Sequence, residues 1–226
     1  MGKKCAILFS GGKDSCLALH LARKQEYEIK YLLSVLPENF DSFMFHKPYL
    51  KLLEKQAEML GIELVIMKSE GIENEETNDL KKLIESVKNK VKVIVVGGIA
   101  SSYQGKRIKN ICEEMGLEFY APLWNFNVEE IWKKLLDKRF KVIITKISCE
   151  GLDEKWLGEI IDEEKLKELK KLSKRYGFRL DFEGGEAETA VLFMPEFRKD
   201  IKIKFTIKSE GKYRHFVENV MVENGK

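Results

Sequence analysis

CAILFSGGKDSCLALHLARK, residues 5–24, is the stretch that decides the fold. Its first five residues, CAILF (5–9), run apolar without a break, as a strand buried on both faces of a parallel sheet does. The pair Gly11 and Gly12 then turns the chain, and Leu17, Leu19, Leu21 and Ala22 follow in a helix that begins near Asp14. In an open parallel sheet, ligands collect at the carboxyl ends of the strands, where this turn falls. Gly11 and Gly12 permit positive φ and close approach of backbone to an anion. Successive N–H groups form a nest there, and the helix N-terminus adds about half a positive charge. Ser10 and Ser15 bring hydroxyl donors and Lys13 a full charge. The spacing is neither the GxxxxGK[ST] of a Walker loop nor the GxGxxG of a dinucleotide site. The bland alternative is a strand-to-helix turn that holds nothing.

Outward from this loop, IKYLLSV (29–35), ELVIMKS (63–69) and VKVIVVGG (91–98) read as further strands. Helical periodicity covers 48–60, stopping at Gly61, then 75–89 and 102–115. Such alternation predicts a parallel sheet with crossover helices. After Glu118 the rhythm changes to a short extended segment (119–124), a helix (128–138) and the strand FKVIITKI (140–147). A charged amphipathic helix (163–176), the strand AVLFM (190–194) and a hairpin over 201–222 turning near Gly211 complete the chain. The expectation is an α/β domain over 1–120 and a smaller α+β domain over 121–226, with no low-complexity linker.

Forty basic and 37 acidic residues give a net charge of +3, well mixed along the chain. A nucleic-acid binder usually concentrates its basic charge, so no stable nucleic-acid partner is expected. No apolar run approaches the ~20 residues of a membrane span, and Lys3 and Lys4 lead straight into a short strand, unlike a secretory signal. The reading is cytoplasmic. Cys5, Cys16, Cys112 and Cys149 form no CxxC pair, and His20, His46 and His215 are scattered. This argues for reduced thiols and against a zinc site.

Three further segments carry polar chemistry. GGIASSYQGKRIKNIC (97–112) brings Ser101, Ser102, Tyr103 and Gln104 to the carboxyl edge of the sheet, with Lys106 and Arg107 within helical reach. In PLW (122–124), Leu123 and Trp124 either seal the domain boundary or line a site. EGGEAET (183–189) crowds Glu183, Glu186 and Glu188 around two glycines. Their mutual repulsion is costly unless a cation, Mg²⁺ or a basic substrate, offsets it, or the turn is simply solvated. His46 reads equally as a general base or substrate contact and as a hydrogen-bonded structural residue. Cys149, a single thiol beside an apolar strand, reads as inert.

SGGKDS resembles the PP-loop of the ATP pyrophosphatases. Together with HKP (46–48), QAEMLGI (56–62), GGIASSYQGKRIKNIC, PLW, GLDEKWLG (151–158) and EGGEAET, the chain resembles the diphthine–ammonia ligase (diphthamide synthase) branch over nearly its whole length. It departs from the usual pattern at Ser102, Gly105 and Ala187. The resemblance implies a Rossmann-like adenine nucleotide alpha hydrolase fold and an AMP-forming carbon–nitrogen ligase. Diphthine on translation elongation factor 2 would be amidated by ammonia through an acyl-adenylate. ATP would lie against Ser10, Gly11, Gly12, Lys13, Asp14, Ser15, Ser34 and Gly98, its adenine on backbone groups around Ser34 to Leu36. Asp14 would lie near Mg²⁺, and Lys13, Asp14 and Glu186 would carry catalysis. The substrate would meet His46, Tyr103, Gln104, Glu183, Glu186, Glu188 and Thr189. A homodimer is left open. The rival readings are a PP-loop tRNA-modifying enzyme and a non-catalytic ATP sensor.

Overall fold

The computed structural model describes residues 2–37, 49–70, 73–98, 102–124 and 126–223. Contacts divide the chain into two compact units, Met1–Ser10 with Asp14–Asn125, and Gly11–Lys13 with Phe126–Lys226.

The first unit is built from β1 (Lys4–Leu8), α1 (Lys13–Lys24), β2 (Glu28–Pro37), α2 (Leu50–Leu60), β3 (Glu63–Ser69), α3 (Glu73–Glu85), β4 (Val93–Val96), α4 (Ser102–Glu114) and β5 (Glu118–Tyr120). All pairings are parallel, in the order β3-β2-β1-β4-β5. The chain thus moves outward from β1 in one direction, then returns to its other side at β4, so β1 and β4 flank the switch point. Side chains alternate across the sheet. Ala6, Leu33, Val35, Ile94 and Val96 face one core with Leu80, Leu83 and Ile84 of α3 and Ile108, Ile111 and Cys112 of α4. Cys5, Ile7, Leu32, Val93 and Val95 are equally buried on the other face, and α1 buries Cys16, Leu17, Leu19 and Ala22. Burial on both faces is why these strands are unbroken apolar runs rather than alternating ones. Each fully buried Leu or Ile contributes roughly 1.5–3 kcal/mol of transfer free energy.

Helix α3 ends at Glu85, four residues before the expected end. Ser86 donates its hydroxyl to the Leu83 carbonyl, and the N–H groups of Val87, Lys88 and Lys90 bond three residues back. A side chain competing for a helix carbonyl and tightened i→i+3 bonds unwind the last turn.

The second unit comprises α5 (Val128–Asp137), β6 (Lys141–Ser148), a 3₁₀ turn (Glu154–Trp156), α6 (Glu163–Tyr176), β7 (Ala187–Phe193), β8 (Ile203–Ser209) and β9 (Arg214–Val222). Its antiparallel sheet has the order β7-β6-β9-β8. Asn127 and Glu130 form a reciprocal capping box at the start of α5, and the Asp162 side chain caps α6 by accepting the Lys165 N–H at 2.9 Å. Strand β7 begins at Ala187, three residues earlier than expected, because Ala187, Glu188 and Thr189 pair with Ile147, Lys146 and Ile144 of β6. Part of the acidic segment is therefore strand. Among the described residues no helix is long and apolar enough to cross a membrane.

Candidate nucleotide site

After β1 the Phe9 N–H bonds to the Leu33 carbonyl at 2.8 Å, which carries the loop to the carboxyl edge of the sheet. Of the two glycines that permit a left-handed turn, Gly11 takes it, with φ of 75°. The hydroxyls of Ser10 and Ser15 stand 3.3 Å apart across the loop, Ser10 exposed and Ser15 buried. Asp14 is partly exposed in the first turn of α1, where a carboxylate is favoured by the helix dipole.

Gly97, directly after β4, is what lets this first turn sit where it does. A Cβ there would lie 2.6 Å from the backbone of Asp14 and Ser15. The paired glycines 97 and 98 were visible in the sequence. Only the fold distinguishes the buried Gly97, which backs the loop, from the exposed Gly98 assigned to the nucleotide. Ser34 is buried on β2. The ladder from β2 to β1 stops at Leu33, whereas the ladder to β3 runs on through Ser34 to Pro37. Residues 34–36 thus extend past the end of β1, where main-chain groups could serve a planar base.

Within the second unit, Lys13 is only 2% exposed. Its ammonium donates to the Asp181 carbonyl at 2.6 Å and lies 5.7 Å from the centre of the Phe182 ring. Its backbone N–H donates to the Thr189 hydroxyl at 3.1 Å, and the Gly11 carbonyl accepts the Val191 N–H at 3.0 Å. Thr189 thereby meets the glycine loop itself.

Within the acidic segment the chain itself supplies partners for two of the three glutamates. The Glu186 carboxylate accepts the N–H of Arg179 at 3.1 Å and that of Gly184 at 2.9 Å. Glu188 pairs with Lys146, its cross-strand neighbour, at 2.9 Å, both side chains being largely buried. Glu183 is exposed. Asp181 and Arg179, which sequence reading passed over, form a two-pronged ion pair at 3.0 and 2.6 Å. Burial pushes the Asp181 carboxyl up. The Arg179 guanidinium, the Glu183 N–H and the Lys13 charge outweigh it and hold the group below its ordinary 3.8.

The remaining expectations fall as follows. His46 lies outside the described residues, and of Tyr103 and Gln104 only the backbone, in the first turn of α4, is described. Leu123 is buried, but Trp124 is 51% exposed and so plugs no core. All four cysteines are free. The Cys149 thiol is pushed up to about 11 by burial and by the Glu186 charge, against one backbone hydrogen bond at Leu152 that lowers it. No group of three His, Cys, Asp or Glu side chains arranged for a metal occurs among the described residues. A divalent ion held by one carboxylate and substrate phosphates, the usual Mg²⁺ arrangement, needs no such group. Asp14 fits that role.

A parallel sheet that reverses at β1, with SGGKDS in the loop at that reversal, defines a Rossmann-like α/β protein of the PP-loop type. The diphthamide synthase N-terminal domain model matches residues 3–119, and the diphthamide synthase C-terminal domain model matches 127–224. Diphthine–ammonia ligase of Bos taurus is 33% identical over 88% of this chain and 82% of its own length. The Homo sapiens ligase is 32% identical over the same shares, and that of Danio rerio 31% over 88% and 86%. The chain belongs to the diphthamide synthase (diphthine–ammonia ligase) family. A solved chain described as "predicted subunit of tRNA methyltransferase" from Methanocaldococcus jannaschii covers 88% of this chain and all of its own. It is 19% identical, with a TM-score of 0.46.

Proposed function

We propose that this protein amidates diphthine on translation elongation factor 2 with ammonia, at the expense of ATP, and releases AMP and pyrophosphate. As a member of its family it is an ATP-dependent ligase, and the reaction is the last step of diphthamide formation. The observation that carries the reading is the SGGKDS loop at the sheet's switch point, in a chain whose two halves match both domains of that family.

A carboxylate is a poor electrophile, so amide formation requires that it first be activated. Attack of the diphthine carboxylate on the α-phosphate gives an acyl-adenylate, and ammonia then displaces AMP. The N–H groups of the loop and the N-terminus of α1 hold the departing pyrophosphate, and Lys13 balances its growing charge. Ser10 and Ser15 donate to phosphate oxygens, and the backbone of Ser34 to Leu36 receives the adenine. Asp14, with the phosphates, would hold Mg²⁺, which would supply further charge neutralisation. Gly98, His46, Tyr103, Gln104, Glu183, Glu186, Glu188 and Thr189 remain the proposed contacts of nucleotide and acceptor. The protein works in the cytoplasm on a protein acceptor. The mixed surface charge supports this over a tRNA, whose phosphates would impose a steep salt dependence on binding.

The test is incubation with Mg-ATP, ammonium and diphthine-bearing elongation factor, with nucleotide products and acceptor mass both read. AMP and pyrophosphate in equal amounts are expected, with a loss of about one mass unit on the acceptor as OH becomes NH₂. ADP and phosphate as main products, or a modified tRNA nucleoside with an unchanged factor, would overturn the reading.

A further inference from the structure

We infer that Asp181 is a positioning residue for Lys13, holding its ammonium through a locked loop. The inference rests on the nucleotide reading above and adds a residue to it. Lys13 and residues 179–186 belong to the same compact unit, although 168 positions separate Lys13 from Asp181.

The loop is fixed at every level. The Asp181 carboxylate accepts both prongs of the Arg179 guanidinium and, at 3.1 Å, the N–H of Glu183, closing a turn over its own backbone. Glu186 bridges the N–H groups of Arg179 and Gly184, so that the two ends of the segment are tied through one carboxylate. The Trp132 indole N–H donates to the Leu180 carbonyl at 2.9 Å, and its ring meets Phe182 edge-on, at 6.3 Å and 81°. Phe182 itself holds a φ of 62°. A bulky residue in the left-handed region costs about 1–3 kcal/mol and persists only where its surroundings impose it. The product of these constraints is a carbonyl 2.6 Å from the Lys13 ammonium and an aromatic face beside it. A lysine on a four-carbon stem is otherwise a mobile charge. Here one charged side chain, Asp181, holds in place the main-chain oxygen that orients another.

A binding cycle tests this with inorganic pyrophosphate as the probe. Calorimetry would compare the natural protein, D181A, K13A and K13A/D181A. D181A is expected to weaken pyrophosphate binding about tenfold, K13A at least tenfold, and the double variant no more than twofold beyond K13A. Loss of binding by the same factor in both backgrounds would overturn the role, because an effect independent of Lys13 is only damage to the fold. Should D181A not fold, R179A removes the same anchor and completes the same cycle, with the same result expected and the same result overturning the role. Failure of the natural protein to bind pyrophosphate would instead sink the nucleotide reading on which the inference stands.

Discussion

The glycine loop at residues 10–15 and the acidic segment at 179–189 are both short, glycine-bearing turns beside a strand, yet their electrostatics differ in kind. The first brings two hydroxyls and a buried ammonium to the point where a helix begins. The second gathers carboxylates, and the chain supplies their partners: amides of Arg179 and Gly184 for Glu186, Lys146 for Glu188, and Arg179 for Asp181. Charges counted along a sequence are therefore a poor guide to charges left over in space. The glycine loop reads as a place for an external anion. The acidic segment reads first as a scaffold whose acidity shapes its own backbone.

The comparison breaks most directly at Lys13. Lys13→Ala should lower AMP formation by about 10²–10³-fold, the usual consequence of removing one group that meets developing charge. Retention of a third or more of the rate would show that the glycine loop is not where the chemistry occurs. Asp14→Ala should come close behind, with a raised magnesium requirement. An unchanged magnesium dependence would remove Asp14 from the metal.

Gly97→Ala should act on the loop without touching its polar groups. The new Cβ meets backbone rather than a yielding side chain. A displacement near 1 Å costs as much as about 10² in rate, with about 1–3 kcal/mol of stability lost. Steady-state kinetics and thermal melting together check it. A fully active variant would mean the first turn of α1 has room to move.

On the acidic side the effect should shift from rate to stability. Glu186→Gln keeps one acceptor but loses charge-assisted bonds, and about 1–3 kcal/mol of unfolding free energy should go with them. Activity lost without any change in melting would make Glu186 a reacting group instead. Asp181 adds a pH signature. Its folded value lies below 3.8, so the stability it contributes is present above that pH and disappears as pH falls through the folded value. Asp181→Asn should thus be less stable than the natural protein at neutral pH and converge with it in acid. Parallel curves down to pH 2 would contradict the depressed value.

The smallest effect belongs to Cys149. With its thiol held at about 11, little thiolate exists at neutral pH. Cys149→Ser should leave turnover unchanged, and iodoacetamide should label the residue slowly at pH 7.5. Rapid labelling together with loss of activity would reopen a covalent role.

The sequence by itself determined what depends on neighbours along the chain. Strand 63–69 and helix 163–176 were legible to the residue, since a short apolar run and amphipathic periodicity are local signals. The unbroken apolar run of β1 and its glycine turn likewise announced a buried parallel strand ending in a left-handed turn. Tertiary structure alone decided which of two adjacent glycines must lack a side chain, because that depends on β4 lying behind α1. It also decided that Glu186 meets the amides of Arg179 and Gly184 and Glu188 meets Lys146, and that Lys13 meets Asp181 and Thr189, 168 and 176 positions away. A hydrogen bond is specific only within about 3 Å. Which groups come that close is settled by how the sheets bring distant segments together, and no local pattern encodes it.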